Sequence, residues 1–207
     1  PSEIILAKWE RKTSEDKADG GKKYTVSYTN PADGFRVWAE FTLFYDYPTL
    51  EWCTYAENGG SENSKKLRNF MGMDISFELD SSSLTLHTTE GSLDIAGDDI
   101  NDYRLVTEKL TNKVTTFMPE ENDGRSSEHA WPFFDVVGNG NGIMFGIGWT
   151  GLWTANFSAE GNNVNISSGM AKFSSYLKPQ EKVRTPLYSI TYFDGDAEYG
   201  HNLFRRT

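Results

Sequence analysis

The sequence predicts an all-β protein, a large two-sheet antiparallel sandwich, and three observations lead to that fold class. Short runs rich in β-branched and aromatic residues follow one another along the 207 residues. Several runs alternate apolar and polar side chains, and helical periodicity is almost absent. The runs outnumber the strands of a small immunoglobulin-like domain, so we expect one large sandwich that no linker divides.

The predicted strands extend from the start of the sequence almost to its end. The clearest is Phe35–Tyr45, in which Val37, Ala39, Phe41 and Leu43 share one face, as in a half-buried antiparallel strand. Segments rich in Gly, Asn and Asp separate the runs and tolerate the positive φ of tight turns. The full set of predicted strands is Glu3–Lys8, Lys23–Thr29, Phe35–Tyr45, Thr49–Glu57, Asp74–Leu79, Ser83–Thr88, Val114–Met118, Trp131–Val137, Gly142–Trp149, Thr154–Phe157, Asn163–Ser167, Met170–Leu177 and Leu187–Phe193.

The stretch Gly91–Thr111 follows neither a helical nor an extended pattern, and we interpret it as a long loop with one or two short strands. Closely spaced carboxylates can bind calcium. Their spacing here does not match an EF-hand loop, so a solvated acidic surface is the favoured interpretation. The acidic residues are Asp94, Asp98, Asp99, Asp102 and Glu108.

Charge and composition argue against several classes of protein. The formal net charge of −10 and the lack of a Lys/Arg cluster argue against a nucleic-acid partner. No apolar run approaches the roughly 20 residues of a membrane-spanning helix, so we predict no membrane partner. The single cysteine, Cys53, allows no internal disulfide and no cysteine-built metal site. No signal-peptide pattern opens the sequence, and we expect a soluble protein that is cytoplasmic or exported with its signal peptide removed.

Candidate catalytic carboxylates are present, but the sequence does not pair them. Hydrolysis of a glycosidic bond needs two carboxyl groups on opposite sides of the bond. The candidates are Asp46, Glu51, Asp74 and Asp135, and nothing in their spacing brings two of them together. We therefore predict no catalytic residue in this chain. No glycine-rich loop opens a helix after a strand, so no nucleotide or other cofactor is predicted.

The three histidines lie far apart in the sequence. His87, His129 and His201 show none of the i, i+4 spacing of a metal-bearing helix, and we predict no metal site. A sugar epimerase on a similar sandwich would need a histidine acid and a glutamate base that converge in a concave sheet. His87 or His129 could supply the acid, although no epimerase motif surrounds either one. This function stays a weaker alternative.

The segment Trp149–Trp153 carries the clearest binding signal among the residues. Its two indoles flank a glycine, so one or both could project from a turn and form a platform for a sugar ring. Alternatively, both are core residues that donate their N–H groups to backbone carbonyls. The sequence leaves these two alternatives open.

An ordered series of motifs resembles the N-terminal domain of glycoside hydrolase family 36, the α-galactosidases. The series covers nearly the full chain, apart from Gly91–Thr111, and is most specific in the C-terminal half. One departure is Gln180, where a glycine is more usual in the family's Pro-x-Glu turn. The motifs are Tyr45–Trp52, Glu57–Gly60, Gly124–Ser127 followed by Pro132–Phe134, Gly146–Trp153, Ser168–Met170, Leu177–Glu181 with Arg184–Pro186, and Asn202–Arg206.

The resemblance implies a galactose-mutarotase-like β-supersandwich that precedes a (β/α)8 catalytic barrel in a longer protein. In that family two aspartates of the barrel carry out the retaining hydrolysis of terminal α-galactosides, and neither can be carried over to this chain. Residues 1–207 would form one non-catalytic domain that shapes the barrel entrance. The implied partners are the protein's own barrel, α-galactoside sugars and, through contacts between copies, a homo-oligomer.

We accordingly predict that one set of residues, around the Arg-Ser-Ser motif and the paired tryptophans, faces the barrel or the sugar. The main rival function is a free-standing carbohydrate-binding module, and the weaker rival is the sugar epimerase. The predicted substrate-binding residues are Arg125, Ser126, Ser127, Trp131, Trp149 and Trp153.

Overall fold

The computed structural model describes residues 2–91, 103–119 and 125–207. In chain order, its elements are α1 (Ser2–Leu6), β1 (Glu10–Ala18), β2 (Gly21–Thr29), β3 (Phe35–Phe44), β4 (Thr49–Asn58), β5 (Leu67–Arg68), β6 (Met71–Glu78), β7 (Thr85–Thr89), β8 (Leu105–Lys109), β9 (Thr115–Phe117), β10 (Phe133–Val137), β11 (Asn141–Gly148), β12 (Trp153–Glu160), β13 (Asn163–Met170), β14 (Ser174–Ser175), β15 (Lys182–Arg184), β16 (Leu187–Asp194) and α2 (Ala197–Phe204). None of the helices in these ranges is long and apolar enough to cross a membrane.

The strands form two main sheets, which confirms the predicted all-β sandwich. The large sheet has ten strands in the order β1-β2-β3-β4-β16-β11-β10-β7-β8, with β15 beside β4. The small sheet has four strands in the order β6-β13-β12-β9, and β5 pairs separately with β14. Every pairing is antiparallel. The centre of the large sheet therefore consists of strands from distant parts of the chain.

The main core lies between the two sheets and is built from alternate residues of the facing strands. Phe134 of β10 points inward and is 1% exposed. Its ring centroid lies 5.8 Å from that of Phe145 on β11 and 5.0 Å from that of Phe157 on β12, so it links the two sheets. Successive side chains of a strand point to opposite faces. Phe133 and Asp135 therefore lie on the outer face of the large sheet, away from this core.

The first two strands lie outside the main core. β1 is exposed along almost its whole length, and no residue of β1 or β2 belongs to the main cluster of buried side chains. An uninterrupted antiparallel register holds the two strands together, from Glu10 opposite Thr29 to Ala18 opposite Gly21. Backbone pairing, not burial, therefore defines β1. The sequence prediction missed this strand because its nine residues include no apolar alternation.

One predicted strand is wrong and another is broken. The segment Glu3–Lys8 overlaps the helix α1, and the N–H of Ala7 donates to the carbonyl of Glu3 at 3.0 Å. The two isoleucines of this segment are 61% and 54% exposed, so they do not pack against a sheet. The segment Met170–Leu177 is not one continuous strand: Met170 ends β13, Lys172 has a φ of 54°, and only Ser174–Ser175 form a strand, β14, which pairs with β5.

Two further segments have only a weak local sequence pattern. The helix α2 was not predicted, because it has only eight residues and follows a long series of strands. Gly91–Thr111 contains β8 as one short strand, in agreement with the prediction. Residues 92–102, with four of the five acidic side chains of that stretch, lie outside the described residues.

Candidate functional site

A pocket of about 480 Å³ opens on the outer face of the large sheet, beside α2. The strands β7, β10 and β11 form its floor, and α2 forms one wall. Most of the lining is aromatic or aliphatic, and a few polar groups converge at one side. This combination is typical of small-molecule binding sites. The lining residues are His87, Thr88, Thr89, Leu105, Trp131, Phe133, Phe134, Asp135, Met144, His201, Phe204 and Arg205.

A carboxylate and two imidazoles form the polar side of the pocket. Asp135 is 2% exposed, and its two oxygens lie 2.5 Å from Nδ1 of His87 and 2.5 Å from Nε2 of His201. An ionised carboxylate can only accept hydrogen bonds, so both imidazoles donate to it. Each imidazole therefore uses one ring nitrogen on the carboxylate. The other nitrogens, Nε2 of His87 and Nδ1 of His201, make no hydrogen bond to the described residues.

The sheet register brings the first two members of this cluster together. His87 on β7 lies directly opposite Asp135 on β10. Directly opposed residues of antiparallel strands have neighbouring side chains on the same face. The outer-face position of Asp135 therefore places both side chains in the pocket, although 48 residues separate them in the sequence.

The third member arrives on α2. Asp196 caps this helix, and its side chain accepts a backbone N–H of the first turn at 2.8 Å. Gly200 is buried against β16, where a Cβ atom would lie 2.5 Å from the ring of Phe193. Glycine thus allows α2 to lie close to the sheet, so that His201 reaches Asp135.

The apolar wall consists of aromatic rings in contact. Trp131 and Phe133 lie at the mouth, 38% and 36% exposed, with ring centroids 5.5 Å apart. Phe204 of α2 follows at 6.0 Å from Phe133, and Tyr103 lies 5.4 Å from Trp131 on the other side. The four rings form a row along one side of the pocket, which we call the aromatic row.

The Arg-Ser-Ser motif has a structural role in the described residues. The guanidinium of Arg125 donates to both oxygens of Glu128, at 2.9 and 3.2 Å, and the Glu128 side chain is only 4% exposed. The carbonyl of Ser126 accepts the indole N–H of Trp153 at 2.8 Å. Ser127 is half-buried. The motif therefore fixes the turn that leads into Trp131, and none of its three residues lines the pocket.

The paired tryptophans differ from each other. Trp153 is fully buried, with its ring 5.7 Å from that of Phe134 in the main core. For Trp153 the core alternative is therefore correct, and the prediction that it faces a sugar or a barrel is corrected. Trp149 is half-buried, and the guanidinium of Arg184 lies 5.5 Å from its ring centroid. Of the six predicted binding residues, only Trp131 lines the pocket.

The remaining candidate acids and bases lie apart from one another. Asp46 and Asp74 are exposed. Glu51 lines two depressions on the outer face, one of about 330 Å³ next to Cys53 and one of about 240 Å³ that it shares with Phe133 and Phe204, but it does not line the pocket. His129 is exposed in a turn with a φ of 60° and does not line the pocket. Within the described ranges, no group of three or more His, Cys, Asp or Glu residues is arranged to hold a metal ion.

The cluster could not be predicted from the sequence because its members are 48 and 66 residues apart. His87 was a candidate acid and Asp135 a candidate carboxylate, but no local pattern joins them. His201 lies on α2, a helix that was not predicted from the sequence. An Asp-x-x-x-Gly-His pattern at Asp196–His201 is the only local signal, since Asp caps helices and Gly permits close packing.

Comparisons with known proteins identify the fold. No protein-family profile matches the sequence, and no curated protein matches it. A GH36 α-galactosidase from Geobacillus stearothermophilus, crystallised with raffinose, is 16% identical and superposes with a TM-score of 0.77 over 95% of this chain and 29% of its own. The α-galactosidase from Lactobacillus brevis is 17% identical, with a TM-score of 0.69 over 92% of this chain and 25% of its own.

A smaller protein shares the same architecture. A galactose mutarotase-like protein from Lactobacillus casei is 10% identical, with a TM-score of 0.56 over 89% of this chain and 73% of its own. At these identities the similarity establishes the fold. The chain spans between a quarter and a third of the length of the α-galactosidases that it matches. It therefore has the galactose-mutarotase-like β-sandwich fold of one part of the GH36 α-galactosidases, as the sequence motifs predicted.

Proposed function

We propose that this chain is a non-catalytic N-terminal domain of an α-galactosidase-like glycoside hydrolase that acts on terminal α-galactosides. The observation that carries the proposal is the asymmetry of the structural match, which covers 95% of this chain and only 29% of the α-galactosidase. A catalytic barrel in the same protein would supply the chemistry. This domain would pack beside the entrance of that barrel.

The distribution of carboxylates supports a non-catalytic role. A retaining glycosidase holds its two carboxyl groups about 5 Å apart, and an inverting one about 6.5–9.5 Å apart. Among the described residues, Asp135 is the only carboxylate that lines the pocket, and both of its oxygens are hydrogen-bonded to histidines. The described part of the pocket thus offers neither a second acid nor a carboxylate oxygen without a partner.

The surface that we assign to barrel contact is the outer face around α2. Large exposed apolar patches on soluble domains mark contact sites. Here the aromatic row continues into Leu187, which is 39% exposed and shares a second depression of about 240 Å³ with Phe133, Phe204 and Glu51. The turn at Arg125, with Ser126 and Ser127, leads into the same face. Those three residues, Trp131 and the half-buried Trp149 are proposed to face the barrel or its substrate.

The gene offers the first test of this proposal. We expect the reading frame to continue beyond this chain for the roughly 250 residues of a (β/α)8 barrel. The longer protein should hydrolyse a chromogenic α-galactoside, whereas residues 1–207 alone should not. A stop codon directly after Thr207 would contradict the proposal and favour the free-standing carbohydrate-binding module.

The second test concerns the contact surface. In the longer protein, Leu187→Asp should lower the thermal unfolding temperature and the hydrolysis rate, because a charge would be desolvated at the barrel contact. Val114→Asp is a matched control, since Val114 is 57% exposed and far from the aromatic row in the fold. Equal effects of the two substitutions would rule out this surface. Light scattering on the same samples would test the proposed homo-oligomer.

The epimerase alternative meets one of its two structural requirements. Histidines and a carboxylate do converge in a pocket, and a mutarotase-like protein shares the fold. The second requirement, a free carboxylate base, is not met by Asp135. Polarimetry of freshly dissolved α-galactose decides between the two, since an epimerase would speed the approach to anomeric equilibrium and an accessory domain would not.

A further inference from the structure

We propose that the pocket at His87, Asp135 and His201 binds one neutral hexopyranose ring in the isolated domain. This assigns a ligand site to a domain whose proposed function above is accessory, and it does not depend on a barrel being present. The size of the pocket, its two kinds of wall and the charges of its described lining support this assignment.

Size and wall chemistry fit one sugar ring. Small-molecule pockets commonly span about 300–1,000 Å³. At about 480 Å³ this pocket lies near the lower end of that range, which suits a monosaccharide better than a longer chain. Trp131 and Phe133 stand at the mouth as partly exposed flat rings. A pyranose has one face covered with C–H groups, and such a face packs against an aromatic ring.

The polar wall selects for hydroxyl groups. Because Asp135 takes one N–H of each imidazole, Nε2 of His87 and Nδ1 of His201 remain without a partner among the described residues. A purely apolar ligand would remove these nitrogens from water without replacing the lost hydrogen bonds, which is unfavourable. A hydroxyl group can donate to a neutral ring nitrogen or accept from a protonated one. A ligand with an apolar face on one side and several hydroxyls on the other therefore matches both walls.

The charges at the pocket favour a neutral ligand. Among the described lining residues, the buried carboxylate of Asp135 opposes an anion, and the exposed guanidinium of Arg205 at the end of α2 opposes a cation. Asp135 also gains two hydrogen bonds that compensate its burial, so it needs no bound cation. The buried carboxylate holds the two imidazoles in place and acts as a positioning residue.

The experiment is a sugar titration of the 207-residue chain, followed by ligand-observed NMR with galactose and with glucose. We expect a dissociation constant of about 1 mM for at least one of the two sugars. Trp131→Ala and His201→Gln should each weaken binding about tenfold. Trp131→Tyr should retain most of the affinity because it keeps a flat ring at the mouth. Comparison with Trp131→Ala then distinguishes loss of the aromatic wall from loss of the folded structure.

The chain offers a matched control for each substitution. Tyr45→Ala removes an exposed aromatic ring outside the pocket, and His129→Gln removes a histidine that does not line it. Both should bind sugar as the unmodified chain does. Near-UV circular dichroism on every variant verifies that the sandwich is folded.

Two results would overturn the pocket assignment. One is the absence of any sugar signal for the folded chain at about 20-fold above the expected dissociation constant. The other is equal weakening by Trp131→Ala and Tyr45→Ala, which would place the sugar elsewhere. Neither result affects the accessory-domain proposal, which depends on the longer gene and on α-galactoside hydrolysis. Conversely, a stop codon after Thr207 would leave sugar binding at this pocket intact.

Discussion

The two faces of β10 differ in what covers them. On the inner face, Phe134 and Val136 are covered by the small sheet and are at most 1% exposed. On the outer face, a single eight-residue helix and a few rings provide the cover. Phe133 remains 36% exposed there, while Asp135 is 2% exposed. Adjacent residues of one strand thus belong to a closed core and to an open pocket.

The difference shows two ways of burying a residue. Phe134 is buried because apolar side chains from both sheets fill the space around it, as close packing requires. Asp135 is buried because two imidazoles cover it and satisfy both of its oxygens. Apolar packing leaves no room for a ligand, whereas the outer face keeps a cavity of about 480 Å³. The inner face therefore forms a closed core, whereas the outer face keeps an open pocket.

The largest expected effect comes from emptying the inner face. Phe134→Ala should lower the free energy of unfolding by about 3–5 kcal/mol, because it removes contacts with both sheets and leaves a cavity. Phe133→Ala, one residue away on the outer face, should cost about 1 kcal/mol or less. Urea denaturation measures both values. Similar losses for the two substitutions would mean that the outer face is packed as firmly as the core.

A smaller effect should appear at alkaline pH. Tyr188 is fully buried and donates its hydroxyl to the carbonyl of Ser168 at 3.0 Å, and burial raises its pKa from 10.0 to about 12. The folded state favours the neutral phenol. The contribution of Tyr188 to the free energy of unfolding is therefore complete below about pH 10 and is lost as pH rises toward 12. The loss should reach about 2–3 kcal/mol. Tyr188→Phe should remove this part of the pH dependence of unfolding.

Tyr192 provides the control for that experiment. It lies on the same strand and is 46% exposed. Tyr192→Phe should leave the alkaline slope of the unfolding free energy unchanged. If both substitutions flatten the slope equally, the enclosed environment of Tyr188 is not its cause.

The smallest expected effects separate two ion pairs. Arg125→Ala should cost about 1–2 kcal/mol, because it removes a charged partner from the buried carboxylate of Glu128. Lys12→Ala breaks the pair with Glu10, in which both side chains are more than half exposed, and should leave the unfolding free energy unchanged within error. Chemical denaturation of both variants tests this order. A larger loss for Lys12→Ala would contradict the role assigned to burial.

Much of the fold could be predicted because strand pattern is local. The alternation in Phe35–Tyr45 predicted β3 to within one residue, although burial does not alternate along the strand: Trp38, on the other face, is 8% exposed and Leu43 is 45% exposed. The same rule failed for β1, whose side chains are solvated on both faces and carry no alternation. The helix α2 was missed because eight residues are too few to establish a helical period.

The pocket could be predicted only in part. Trp131 was selected from its place in a family-like motif, and it does line the pocket. The neighbouring Arg125 was selected for the same reason, yet it holds Glu128 in place. Motif resemblance does not separate residues that contact a ligand from residues that fix a turn. That distinction depends on which side chains the turn encloses.

The sequence by itself determined the all-β class, most strands of the sandwich and the resemblance to one part of the α-galactosidases, because those properties depend on local alternation and ordered motifs. Only the tertiary structure decided that Trp153 is core and that His87, Asp135 and His201 meet. Sheet register joins the first two across 48 residues, and close packing at Gly200 brings in the third. Both are long-range contacts, and no local pattern in the chain specifies them.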